Sequence, residues 1–270
     1  MKKVFLIAIL FLMGGNIYGQ NSIEKFDEYY KVGITIGLNR LSQPSLSNKV
    51  GDFHPEPVNA YNPNLGIQYD LFPRNRFSIL LGAQFSLVPT QRFSLFIPYD
   101  KLNFPNNLDI KYVIETDHSH PALTIPISIS YKGLIIKNIF YNFNIGGEFS
   151  YLFSSMEENY TTGEYTGGDM SKPIDFDNAP LLRFTYKSGK QFNQSLSASA
   201  GLKFATKALL IGTDLIFSYN IGDIIKEGKY TITDANHLTI GSGNYSSDLT
   251  YIGLKLSFRS KKFKTCCLKY

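Results

Sequence analysis

The chain has no tryptophan, only two cysteines in 270 residues, and charged side chains at just 18% of the total. The cysteines, Cys266 and Cys267, are adjacent near the C-terminus, and neighbouring cysteines close a strained ring. A disulfide-stapled fold is therefore excluded. No stretch of about 20 apolar residues occurs, which excludes a helical membrane bundle. The 43% hydrophobic share and mean hydropathy of −0.10 exclude a disordered or collagen-like chain. A glycine-rich phosphate loop and a paired-cysteine metal motif are also missing. What is present is aromatic: 18 Tyr and 21 Phe, with 22 Gly. Many aromatics and turn formers with few charges point to a sheet protein with much apolar surface.

The start of the chain predicts export. Lys2 and Lys3 precede an apolar core at residues 4–13, and residues 14–19 end in a small residue. This is the pattern of a secretory signal cleaved before Gln20. The core is too short to span a bilayer as a helix. No cysteine stands directly after it, in residues 14–20, which argues against a lipid anchor.

Beyond residue 29 apolar and polar residues alternate with period two, the mark of strands with one apolar face. Eight segments carry it: residues 30–39, 65–71, 77–87, 123–132, 141–153, 195–204, 209–220 and 251–258. In the fourth, Leu123, Ile125, Ile127 and Ile129 oppose Thr124, Pro126, Ser128 and Ser130. About ten residues is the length of a strand that crosses a bilayer. The links after the second, fourth and sixth segments are short, while the other four are long and rich in Pro, Asn, Asp, Gly and Ser. Strict short–long alternation is the loop pattern of outer-membrane barrels, and an even strand count puts both termini on the periplasmic side.

Alternation alone leaves open which face turns inward. A lipocalin-like barrel would turn the apolar set inward around a ligand. Here that set is large Leu, Ile, Phe and Tyr side chains, crowded for an eight-stranded interior. The opposite set is Gly, Ser, Thr and Asn with few charges, which suits a narrow lumen better than a solvated outer face. Tyr30, Phe77, Tyr131, Tyr141, Phe204 and Phe258 fall near the short-turn end on the apolar face, as in an interfacial girdle. The expected fold is an all-β, eight-stranded, antiparallel up-and-down transmembrane barrel with long extracellular loops.

Gly33-Ile34-Thr35-Ile36-Gly37-Leu38, Leu123-Thr124-Ile125-Pro126-Ile127, Ala200-Gly201-Leu202-Lys203-Phe204, Tyr219-Asn220-Ile221-Gly222-Asp223-Ile224 and Ile252-Gly253-Leu254-Lys255-Leu256-Ser257-Phe258 resemble the PorT-like outer-membrane β-barrel proteins. The resemblance covers most of the mature chain and rests on strand patterning. It implies a small outer-membrane barrel, in a family where some members are associated with secretion or surface assembly. The twelve residues after Phe258 depart from the usual ending, in which an aromatic closes the chain. The organisation expected is a signal at 1–19, a short periplasmic segment at 20–29, a barrel at 30–258 and a basic periplasmic tail at 259–270.

Candidate functional residues are few. His118 and His120 beside Asp117 are expected in a loop with no third fixed ligand, so no metal site is assigned. His54 and His237 are expected alone in other loops. No serine has a histidine at matching depth, so no catalytic residues, enzymatic activity or cofactor are expected. Lys31, Asp70, Lys132, Glu148, Lys203, Asp214 and Lys255 fall on the inward set, where they should pair and fill the lumen, with Lys31 and Asp70 as partners. An eight-stranded barrel is just wide enough for its own side chains. A plug with a structural or interaction role is thus expected over a narrow solute channel, the alternative. The long links are net acidic and the tail basic, through Arg259, Lys261, Lys262, Lys264 and Lys269. That tail is expected either to be an ordinary solvated end or to dock on anionic outer-membrane lipid, an acidic periplasmic partner or other envelope proteins. Nothing suggests nucleic acid.

Overall fold

The computed structural model describes residues 24–98, 101, 111–153, 159–161, 182–186, 191–234 and 238–262. The expected signal, His237, Lys264, Lys269 and both cysteines lie outside them. A 3-10 turn at Glu24–Glu28 leads into fourteen strands: β1 Val32–Leu41, β2 Ser45–Gly51, β3 Glu56–Pro57, β4 Tyr61–Asp70, β5 Phe77–Pro98, β6 Lys111–Ile136 and β7 Ile139–Leu152, then β8 Asn159–Thr161, β9 Leu182–Tyr186, β10 Phe192–Ala205, β11 Leu209–Asn220, β12 Ile225–Thr233, β13 Thr239–Ser247 and β14 Tyr251–Ser260.

Eight of these close on themselves. The hydrogen-bonded order runs β5-β4-β1-β14-β11-β10-β7-β6, and β5 pairs with β6 to complete the ring. Every pairing is antiparallel, and the eight strands correspond to the eight alternating segments of the sequence. The apolar face points out. Along β1, Val32, Ile34, Ile36 and Leu38 are about half exposed, while Thr35 and Asn39, of the opposite parity, are buried. The same holds around the ring, through Leu65 and Ile67, Phe143 and Ile145, and Leu254 and Leu256. A continuous belt of exposed aliphatic and aromatic side chains around a polar interior is stable only where lipid covers the belt. The protein is a transmembrane barrel.

Rings gather at the short-turn edge of the belt as expected. Phe77 lies 4.9 Å from Tyr131, and Tyr131 lies 6.1 Å from Tyr141. Six-residue or shorter links join β4 to β5, β6 to β7 and β10 to β11 at this edge.

The long links do not behave as loops. β2, β13, β12, β9 and β8, drawn from three of them, form a five-stranded sheet at the opposite end. The fourth link is a tall hairpin, because β5 and β6 stay paired from Phe77↔Tyr131 up to Pro98↔Lys111. The sheet and the hairpin share a core. Phe93, Leu95 and Ile97 of the hairpin bury against Phe184, Tyr230 and Tyr245. Phe93 stacks on Phe184 at 5.1 Å, and Tyr245 meets both rings edge-on at 5.4 Å. The expectation of plain turn-rich loops is therefore corrected. Short alternations such as Leu182-Arg183-Phe184 and Phe93-Ser94-Leu95 bury one face each and need partner strands from distant links to do it.

One buried cation ties this cap to the barrel. Arg92, on β5, donates to the Ser42 carbonyl, to Ser247 Oγ at 3.0 Å and to the Asp248 carbonyl at 3.5 Å. Asp248 in turn accepts from Ser42 Oγ and from the Thr250 backbone and hydroxyl. Replacing Arg92 with methionine keeps the stem and orphans these buried acceptors, each hydrogen bond to a charged donor being worth about 1.5–3 kcal/mol. Limited proteolysis should then cut the cap of Arg92→Met at least tenfold faster, with the barrel intact by gel mobility. An unchanged cleavage rate would remove Arg92 as the tie.

Candidate functional site

The interior is lined by the inward positions of all eight strands, and among the described residues it is filled by side chains. At the short-turn end Asp70 is fully buried and accepts from Lys132 Nζ at 2.9 Å, from Arg259 Nη1 at 2.9 Å and from Ser78 Oγ. Register explains how these groups meet. Asp70 is on β4; Lys132 and Arg259 are on β6 and β14, each two strands away around the ring. A side chain can cross an intervening strand only where that strand offers little bulk. On one side the intervening β5 presents Ser78, which joins the cluster itself. On the other, β1 presents Gly33. A Cβ there would lie 2.6 Å from Arg259 Cγ and 2.7 Å from the Phe258 carbonyl, closer than atoms can pack.

The same device recurs higher up. Asn142 on β7 donates to Asp214 on β11, and Gly201 of β10 is register-paired with both. Above that, Glu148 on β7 accepts from Ser218 Oγ at 2.9 Å and from the Tyr251 hydroxyl at 2.8 Å. Two small voids flank Glu148, each of about 30 Å³, and Gln84 and Glu148 line both. Each has room for a water molecule or two and no more.

The base is closed by the chain's own N-terminal turn. Phe26 is buried to 1% exposure and meets Phe140 edge-on at 4.6 Å. Its ring lies beneath two lumen cations, Lys132 Nζ at 5.1 Å and Lys203 Nζ at 5.7 Å from the centroid. The Tyr29 hydroxyl donates to the Thr206 carbonyl at 2.6 Å, and Lys25 Nζ reaches the Lys137 carbonyl and Asn138 Oδ1. Asp27 pairs with Arg74 at 2.6 Å and Lys262 at 3.3 Å, and Lys261 pairs with Glu28 at 2.6 Å. The Arg74 and Lys262 contacts hold the Asp27 carboxyl below its ordinary range, and Glu28 holds the Lys261 ammonium above its own.

Of the seven expected lumen charges, six are buried inside: Asp70, Lys132, Glu148, Lys203, Asp214 and Lys255. Lys31 is not. It lies one residue before β1, past the rim, with its side chain exposed, and only its carbonyl meets Asp70, accepting from the Asp70 amide at 2.9 Å. The Lys31–Asp70 ion pair is corrected to Lys132–Asp70–Arg259. Arg259 is likewise removed from the tail: it continues the inward parity of Lys255 and Ser257 and is 4% exposed. Lys261 and Lys262 are held by the N-terminal turn, so that turn is a bottom plug and not a free segment.

His118 and His120 sit in β6, not in a loop, and His120 is buried because this strand extends far above the belt. His54 Nδ1 lies 2.9 Å from the Tyr230 hydroxyl. Among the described residues no three His, Cys, Asp or Glu side chains gather as a metal site.

The closed eight-strand ring, exposed apolar belt and polar interior define a small transmembrane β-barrel of outer-membrane type. No family model matches the chain, and no curated protein matches it in sequence. Solved structures with similarity include the outer membrane protein OprG of Pseudomonas aeruginosa, at 13% identity and TM-score 0.38, covering 87% of this chain and 98% of its own. The attachment invasion locus protein Ail of Yersinia pestis is 9% identical with a TM-score of 0.33, covering 86% and 97%. The toluene transporter TodX of Pseudomonas putida is 10% identical with a TM-score of 0.33, covering 87% of this chain and 58% of its own.

Proposed function

We propose that this chain is an exported, non-enzymatic outer-membrane barrel that displays its five-stranded sheet and tall hairpin at the cell surface for interaction, with both termini in the periplasm. The observation that carries this is the closure of the lumen at three levels, by the Glu148 layer, the Asp70 cluster and the Phe26 plug. Long links that carry paired strands at one end and short turns at the other support the orientation. The lysine patterning at residues 1–13 supports export, and the strand motifs support a PorT-like role in secretion or surface assembly. The exposed ion pairs of Lys261 and Lys262 contribute little each and open readily, so the basic end keeps a capacity for an acidic periplasmic partner.

Purified protein in planar bilayers should give no reproducible open state, and such a state would favour the narrow channel instead. Protease on intact cells should reach the cap and spare residues 24–30. Turn residues and weak apolar periodicity make residues 159–189 the expected region of cutting; within it Asn159–Thr161 and Leu182–Tyr186 are paired strands, and residues 162–181 and 187–189 lie outside those described. Cleavage of residues 24–30 alone would invert the orientation.

A further inference from the structure

One outward charge breaks the apolar belt. Across the eight barrel strands, the outward side chains below the cap are uncharged among the described residues, nearly all aliphatic, aromatic or small with Gln194 as a polar member, and the single charged exception is Arg40. It sits at the capped end of β1, register-paired with Ile252 on one side and Tyr61 on the other. A guanidinium at the capped edge of a lipid-facing surface sits near headgroup depth, where its cost is small and a polar or anionic group can answer it. No carboxylate does so among the described residues: the partner of Arg40 is the Asn59 amide oxygen, 3.0 Å away. Beside Arg40 lies a groove of about 400 Å³ whose lining includes the outward Phe217 and Ile252 and the polar Gln43 and Asn59. No acidic residue lines it.

We propose that this groove seats a phosphorylated glycolipid of the outer leaflet, its phosphate on Arg40 and an acyl chain against Phe217 and Ile252. The guanidinium fork matches a phosphate bidentately and keeps donors free beyond the one given to Asn59. Asn59 and Gln43 offer amides to the sugar. The apolar wall continues into the belt, so a ligand here must be amphipathic. The proposal rests on the capped end facing outward, since that is the leaflet where a glycolipid phosphate would meet it.

The test is native mass spectrometry of the detergent-solubilised full chain with added diphosphoryl lipid A or phosphatidylglycerol. Wild type should retain lipid A, Arg40→Gln should lower that retention at least fivefold, and Arg40→Lys should fall between them. Phosphatidylglycerol should be retained weakly and equally by all three. Gel mobility of unheated samples confirms that each variant is folded, as expected for an exposed position. Arg40-independent retention, or an Arg40-dependent preference for phosphatidylglycerol, would overturn the glycolipid site. This readout is independent of orientation, which the intact-cell protease experiment decides separately.

Discussion

Asp70→Asn is expected to destabilise the barrel by about 3–5 kcal/mol, the cost of leaving buried cations without their counter-charge. The substitution preserves volume, so packing changes little. What changes is that Lys132, wholly buried, and Arg259, at 4% exposure, then face one another across a neutral amide. Ser78 also loses its charged acceptor. Lys132→Met should cost less, because the Asp70–Arg259 pair survives it. Adding Lys132→Met to Asp70→Asn should recover part of the loss, as one uncompensated cation has gone. Because the chain has no tryptophan, the natural measurement is the gel shift between folded and unfolded barrel across a urea series. If Asp70→Asn proves milder than Lys132→Met, the carboxylate is not the keystone of the cluster.

That cluster shows where a sequence reading stops. Parity along a strand is local, so the eight barrel strands β1, β4, β5, β6, β7, β10, β11 and β14 and their inward faces can be read directly from alternation. Parity also held the answer for Arg259, since residues 251, 253, 255, 257 and 259 share a face. Its place after the last outward aromatic, Phe258, made it look like tail. Lys31 had the right parity but the wrong height, and height depends on where the ring's rim falls. Partner choice was harder still. Asp70 takes a hydroxyl from Ser78 on the adjacent strand but draws both of its cations from second neighbours, past Ser78 and Gly33. Such contacts follow from ring closure and from the smallness of the residue between, which no single strand reveals. The cap was hidden for a related reason: its strands pair across three separate links, and Phe93, Phe184 and Tyr245 meet only after the barrel has brought those links together. Phe26 carried one faint signal, an aromatic in the otherwise charged run Glu24-Lys25-Phe26-Asp27-Glu28.

Phe26→Ala should release the plug while leaving the barrel standing. Truncating a fully buried phenylalanine costs about 3–5 kcal/mol where the surroundings stay fixed. Here the surroundings can move, so the loss is limited by the free energy that docks residues 24–28. What remains to hold the turn is exposed or sits at its edge: pairs from Asp27 and Glu28 and the Lys25 contacts, worth little individually, the Tyr29 hydroxyl bond to Thr206 and the backbone bond from Lys262 to the Glu28 carbonyl. A five-residue turn cannot keep its place on those terms, and local opening with an intact core is the expected response. Protease should then cut the segment at least tenfold faster, while the folded gel band persists. Undocking also uncovers the ammonium groups of Lys132 and Lys203, which the Phe26 ring now covers. Lys203 should show the larger gain in labelling by an amine-reactive probe, because Lys132 stays paired with Asp70. Restoring a ring by Phe26→Tyr should reverse most of both effects. Conductance should stay absent even in Phe26→Ala, since the Asp70 cluster and the Glu148 layer still fill the lumen above. A variant that loses protection at residues 24–28 and also conducts would show that the plug, and not the charge layers, is what closes the barrel.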